Sequence, residues 1–304
     1  MSPSAAAQTP ADAKAQLDDL SQRVREIELI TRRLVQDTMA GQYHAVFKGR
    51  GMSFDSVREY EAGDDVRTID WNVSARTGGV FVKQYVEERE LTVLIAVDLS
   101  ASLEIGTAGR SKRELAAEMA AVLAFSAISN NDRVGLVLFT DRIERYIPPK
   151  KGRAHVLRVI LELLQFQPVG RGTRIDVACD YLGRIARKRA VVFVLSDFLA
   201  EDYERALGVA ARRHDLVPIA TTDPMEKVWP DLGLMALEDA ETGEVHWFDG
   251  AGAARQIYWQ RAAVGRRKRE QTFRKHGLEP IEAIVGQDYL KALVTYFRRR
   301  AARQ

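Results

Sequence analysis

Residues 91–102 read LTVLIAVDLSAS. An unbroken apolar run from Leu91 to Val97 stops at Asp98, and serines follow at positions 100 and 102. A run without polar alternation is a strand buried on both faces, which belongs inside a parallel sheet covered by helices. Downstream the pattern alternates. KRELAAEMAAVLAFSAIS (112–129) reads as a helix with Leu115, Met119, Val122 and Leu123 on one face, and RVGLVLF (133–139) and RIERYIP (142–148) read as strands. GRAHVLRVILELLQF (152–166) and RIDVACDYLGRIA (174–186) are helices, AVVFVLS (190–196) a strand, DYERALGVAARRH (202–214) a helix and DLVPIAT (215–221) a strand. Apolar strands separated by helices predict an α/β fold, a doubly wound and mostly parallel sheet.

The flanks differ from this centre. Residues 1–11 are small, polar and proline-bearing, as in a disordered start. From Asp12 to Ala40, Leu17, Leu20, Val24, Ile27, Ile30 and Leu34 make one apolar stripe of a docked helix. Residues 41–90 are dense in Gly, Asp, Arg and aromatics without clear period, and only VFVKQYVEE alternates as a strand, from Val80 to Glu87. Beyond Asp223-Pro224, GLMALED and GEVHWFD flank Ala240–Gly243 as a β-hairpin. A long helix (253–276), a strand (278–285) and a last helix (287–300) follow. The expected organisation is a disordered start and helix over 1–40, an accessory irregular/β segment over 41–90 and an α/β domain over 91–225. The hairpin and C-terminal helices over 226–304 are expected to pack on the accessory segment.

Bulk properties narrow the class. The chain of 304 residues is 46% hydrophobic and 29% charged, ordinary for a globular protein with a real core. The longest apolar runs, Leu91–Val97 and Ala190–Leu195, fall short of the roughly 18 residues that span a bilayer. The N-terminus lacks the pattern of a signal peptide, so the expected compartment is cytoplasmic. The single cysteine, Cys179, excludes an intrachain disulfide and reads as a buried small residue. Net charge is +3, but residues 251–304 hold 13 Lys/Arg against 4 Asp/Glu. The basic clusters Arg266, Arg267, Lys268, Arg269 and Arg298, Arg299, Arg300 read as solvated helix faces; contact with an acidic partner or anionic lipid is the alternative. No nucleic-acid motif accompanies them.

The chemistry sits at strand ends. In open α/β sheets ligands bind outside the carboxyl ends of the strands. Asp98, Ser100 and Ser102, spaced i, i+2, i+4, let a looping backbone aim three oxygens at one point. Gly170-Arg171-Gly172-Thr173 is a tight loop ending in a hydroxyl at a helix start, and Leu195-Ser196-Asp197 ends another apolar strand in a carboxylate. Carboxylate and hydroxyl oxygens are the ligands of hard cations, Mg²⁺ first, with Mn²⁺ or Ca²⁺ as alternatives. Taken singly, each residue has a bland role. Ser102 or Ser111 would cap the following helix, Thr173 would be an N-cap, and Asp197 a turn residue.

Together, D-x-S-x-S, then G-x-G-T, then S-D resembles the metal-ion-dependent adhesion site of von Willebrand factor type A domains. RGMSFDSVREYEAGDDVRTIDWNVSART, EERELTVLIAVDLSASL and the C-terminal DYLKALVTYFRRR resemble domain-of-unknown-function family number 58, over about residue 45 to the C-terminus. The resemblance implies direct binding of the metal by Ser100, Ser102 and Thr173, and binding by Asp98 and Asp197 directly or through water. It implies an open position for a protein partner's carboxylate and a MoxR-type AAA+ ATPase as partner. Many relatives carry N-terminal transmembrane helices; no such segment is read here. Asp64, Asp65, Arg67, Asp70 and Trp71 form the other dense cluster, expected to pin the irregular segment by ion pairs and hydrogen bonds with Trp71 packed beneath; a binding surface outside the metal site is the alternative.

The function these readings support is a metal-dependent protein–protein interaction module, an adaptor and not an enzyme. A metal-dependent hydrolase using the same acidic site is the rival, and an α/β domain with a purely structural role is a third reading. The five histidines follow no ligand or triad spacing, and H-E-x-x-H, G-x-S-x-G and Walker A motifs are absent.

Overall fold

Strand β3 (Thr92–Asp98) is buried at every position after its first. Its neighbours on both sides are parallel: β4 (Arg133–Phe139) and β6 (Val191–Ser196). In the computed structural model, which describes residues 29, 46–47, 51–88, 90–107, 109–226, 233–249 and 253–303, these strands centre a six-stranded sheet. Its order is β10-β7-β6-β3-β4-β5, with β5 (Ile143–Lys150), β7 (Asp215–Thr222) and β10 (Ile281–Ile284). All pairs are parallel except β4–β5. The sheet takes its β10 edge from residues well beyond 225. The helix expected over 12–40 lies, apart from Leu29, outside the described residues.

The helices follow from caps and apolar faces. Helix α2 (Lys112–Ser129) starts at Ser111, whose hydroxyl accepts from the Glu114 amide while the Glu114 carboxylate accepts from the Ser111 amide. This reciprocal pair satisfies two amides that the helix itself leaves open. α2 is buried almost all round, packed on β3, β4 and β7 and against α3 (Arg153–Gln165). The opposite face is covered by α4 (Ile175–Ile185) and α5 (Glu204–Arg213), where Ala178, Leu182, Leu207 and Ala210 meet Leu94, Ala96, Val137, Val192 and Val194. Side chains of a strand alternate between faces, so one apolar run feeds both layers.

The chain divides into two compact units, residues 47–91 and the remainder. In the smaller unit, β1 (Gly51–Glu59) pairs antiparallel with β2 (Phe81–Glu88), where the sequence suggested only the second strand. A register shift between Phe54 and Ser56 breaks the alternation that would have marked β1. Helix α1 (Trp71–Thr77) is capped by Asp70, which accepts from the Asn72 and Val73 amides. Asp65 caps the preceding 3-10 turn, and Arg58 holds Asp64 through two bonds of 2.7 and 2.6 Å. The acidic cluster is thus a set of caps and ion pairs. Trp71 is not packed beneath it: it is 69% exposed, at the first position of a seven-residue helix none of whose residues is buried.

In the larger unit the hairpin is β8 (Leu234–Glu238) and β9 (Val245–Asp249). α6 (Ala253–Lys275) and α7 (Tyr289–Ala301) complete it, with Phe248 of β9 edge-on to Tyr258 of α6. The basic clusters are not simply solvated faces. Arg269 is 4% exposed and bonds Glu282, and Arg300 bonds both Asp215 oxygens and the Tyr296 hydroxyl. Among the described residues no helix is long and apolar enough to cross a membrane.

Candidate functional site

From β3 the chain crosses one way to β4, and from β6 it crosses the other way to β7. The carboxyl ends of β3 and β6 therefore flank the point where the winding reverses, the usual crevice for ligands in such sheets. Asp98 ends the first and Ser196-Asp197 closes the second. Asp98 is fully buried. Its Oδ1 accepts from the Ser100 amide at 2.8 Å, and its Oδ2 accepts from the Ser196 hydroxyl at 2.7 Å.

Hydroxyls bridge the two strand ends. Ser102 donates to Asp197 Oδ2 at 3.2 Å, and Ser100 Oγ lies 3.1 Å from Ser102 Oγ. With the Ser102 proton committed to Asp197, Ser100 is the donor of that pair. Asp98, Ser100, Ser102 and Asp197 thus form one linked group. Ser111, not Ser102, caps α2, and the Ser100 hydroxyl makes no capping bond.

Thr173 arrives on the loop between α3 and α4, a connection between two helices. Arg171 carbonyl accepts from the Ala101 amide at 2.9 Å, and Thr140 carbonyl accepts from the Arg174 amide at 2.9 Å, so the loop is fastened beside the serines. Glu144 accepts from both the Gly170 amide (2.7 Å) and the Thr140 hydroxyl (2.8 Å). A Cβ at 170 would stand 2.1 Å from Asp141 Oδ1 and 2.2 Å from the buried Thr140 Oγ1, so any side chain there must displace both. Thr173 does not cap α4. Its hydroxyl donates to Glu241 Oε1, at the tip of the hairpin, at 2.8 Å.

Further participants were not assigned to the site from sequence. Lys112, 2% exposed, places its ammonium 2.9 Å from Asp197 Oδ2 and 2.7 Å from Glu226 Oε1. Burial opposes its charge, but Asp197 and Glu226 outweigh burial and hold the ammonium above its ordinary value. One signal was available: a lysine in the first turn of a helix faces the positive end of the macrodipole, so it needs a local anion. Arg269 donates to the Asp197 carbonyl at 3.0 Å, and Ser196 and Glu241 complete the set.

The electrostatics are unbalanced. Burial first, then the Asp197 charge, pushes the Asp98 carboxyl up to about 7. Asp98, Asp197 and Glu226 set three carboxylates against the one Lys112 ammonium that pairs with two of them. A dication would favour the ionised form of Asp98 and offset the excess of acid. The oxygens present, carboxylate and hydroxyl, are those that hard cations take. Among the described residues no three His, Cys, Asp or Glu side chains converge to hold a metal, so any cation here depends on the hydroxyls.

The family model and the curated relatives give kinship and leave chemistry open. The family described as "Protein of unknown function DUF58" matches residues 56–269. An uncharacterized protein of Mycobacterium tuberculosis is 33% identical over 301 residues, 96% of this chain and 95% of the relative. An uncharacterized protein of Mycobacterium avium is 30% identical over 158 residues, 51% of this chain and 93% of the relative. Among solved structures, the conserved hypothetical protein BatB from Bacteroides thetaiotaomicron is 17% identical and covers 70% of this chain and all of its own, with a TM-score of 0.44. The SpRpn10 VWA domain is 10% identical and covers 68% of this chain and 95% of its own, with a TM-score of 0.38. The family match spans both the antiparallel unit and the crevice between β3 and β6, and on that ground the chain belongs to the DUF58 family, whose function is unknown.

Proposed function

We propose that this protein is a metal-dependent interaction module. Asp98, Ser100, Ser102, Thr173 and Asp197 would hold a divalent cation, Mg²⁺ or its Mn²⁺ and Ca²⁺ analogues. When bound, such a cation supplies an open coordination position that takes a protein partner's carboxylate. The supporting observation is the hydrogen-bonded chain Ser100–Ser102–Asp197 across the two strand ends, with Asp98 held beside it by Ser100 and Ser196. The chain's own residues do three things there. Ser196 and the Ser100 amide orient Asp98, Lys112 and the Leu199 amide orient Asp197, and the Arg171–Ala101 bond fastens the Thr173 loop.

The family resemblance makes a MoxR-type AAA+ ATPase the partner of choice, with this chain as an adaptor in complex assembly or maturation. The hydrolase reading is weaker. It requires a base beside the cation, and Lys112 is held charged by its two carboxylates. His155 bonds the Val134 carbonyl, and His214 lies by the Ala190 amide, both away from the linked group. The test is capture of the ATPase by the full chain in Mg²⁺ and in EDTA, with Ser102→Ala as control. Capture lost in EDTA and in the variant is expected. Capture indifferent to both would remove the adhesion reading.

A further inference from the structure

The tip of the β8–β9 hairpin is built to hold one glutamate in place. Asp239 Oδ1 accepts from the Glu241 and Thr242 amides, both at 2.9 Å. The Asp239 amide donates to the Glu244 carbonyl at 2.8 Å, and the Gly243 amide to the Asp239 carbonyl at 2.7 Å, with Gly243 at φ 74°. The side chain of Glu241 turns away from this framework, toward the 170–173 loop. Oε1 accepts from the Thr173 hydroxyl, and Oε2 lies 3.7 Å from where a Gly172 Cβ would stand.

The position is electrostatically odd. Glu241 is brought toward a crevice that already holds Asp98 and Asp197, and it lies within reach of the Asp197 and Lys112 charges. The Asp197 charge opposes a further carboxylate there, and the Lys112 ammonium offsets that charge in part. Nothing in the fold of the hairpin demands this residue. The turn is made by Asp239 and Gly243, and the hairpin's packing is made on its other side by Phe248 against Tyr258. The opposite face leaves Leu234, Val245 and Trp247 exposed.

The geometry points to Glu241 as the carboxylate that this chain itself offers to the cation, standing where a partner's carboxylate would bind. This rests on the metal-site reading above and adds to it a consequence: a partner must displace the hairpin tip to reach the metal. The partner so selected presents an acidic residue, and the displaced hairpin offers it the apolar face of Leu234, Val245 and Trp247. The site is then self-capped until an acidic segment competes with Glu241.

The experiment uses the full chain, with Mg²⁺ as the probe of the site and acetate as the probe of the open position. Mg²⁺ affinity is measured by calorimetry for the parent, Glu241→Gln and Ser102→Ala, and amide hydrogen exchange of residues 239–245 is followed in Mg²⁺ and in EDTA. In the parent, Mg²⁺ is expected to slow exchange at the hairpin tip. Glu241→Gln should lose that slowing and bind Mg²⁺ about tenfold more weakly, the loss of one charged ligand. It should also bind acetate in the Mg²⁺ form more tightly than the parent does. Mg²⁺ binding that Ser102→Ala abolishes but Glu241→Gln leaves intact, with hairpin exchange indifferent to metal, would overturn the role of Glu241 and leave the metal site standing. Absence of Mg²⁺ binding in the parent would overturn both.

Discussion

Asp98→Asn should make the metal-free protein more stable while abolishing its response to Mg²⁺. Asp98 is fully buried, and burial together with the Asp197 charge raises its carboxyl from 3.8 to about 7. Between those two pH values the folded state keeps a proton that the unfolded chain has released. Stability therefore falls as pH rises through that window and levels off above it. A shift of about 3 units at about 1.36 kcal/mol each sets the cost of ionised Asp98 at up to about 4 kcal/mol above pH 7. Asparagine removes the charge and keeps the shape. Its oxygen can still accept from the Ser100 amide, whereas the contact with Ser196 must reverse its donor, costing about 1 kcal/mol. A net gain of about 3 kcal/mol is expected at pH 8. Urea unfolding in EDTA at pH 5 and pH 8 measures it: the parent loses stability between the two, and the variant stays level. Adding Mg²⁺ at about one thousand times its dissociation constant should return about 4.1 kcal/mol to the parent and nothing to the variant, reversing their order. A variant less stable than the parent in EDTA at pH 8, or a parent whose stability is flat from pH 5 to 8, would refute the account of Asp98 as a buried acid raised by burial and by the Asp197 charge.

Other perturbations read different parts of the same arrangement. Lys112→Met strands Asp197 and Glu226 without their ammonium and should cost about 3–5 kcal/mol, a fall of about 6–20 °C in Tm by calorimetry. Lys112→Met combined with Glu226→Gln should recover part of it. Gly170→Ala forces a Cβ into Asp141 and Thr140, so it should destabilise by about 1–3 kcal/mol and weaken Mg²⁺ binding through the displaced Thr173 loop, read by chemical denaturation and calorimetry. Cys179, which burial pushes up to about 12, should resist alkylation by iodoacetamide at pH 8 in the native state and react fully in urea, followed by mass spectrometry.

What could be read without tertiary structure was whatever repeats locally. The strands β3, β4, β6 and β7 announce themselves as unbroken apolar runs, and the helices between them by period. The rule that ligands gather at carboxyl strand ends then marked Asp98 and Asp197, with Ser100 and Ser102 following in register. β1 escaped because its register shift at Phe54–Ser56 erases the two-residue alternation on which a strand is recognised. Trp71 was placed underneath its cluster because burial of an aromatic is the common case, yet a seven-residue helix had no second layer to cover it.

The sequence by itself determined the α/β order, the apolar runs that force a buried sheet, and the oxygen-bearing side chains that end them. Only the tertiary structure decided that β3 and β6 are neighbours, so that Ser102 reaches Asp197 ninety-five residues away. It also decided that Lys112 pairs with both Asp197 and Glu226, that Arg269 leaves its basic cluster to hold the Asp197 backbone, and that Glu241 meets Thr173. The physical reason is range. Periodicity and capping act over a few residues and leave a trace in the chain, whereas charge compensation in a buried crevice acts through space and leaves none.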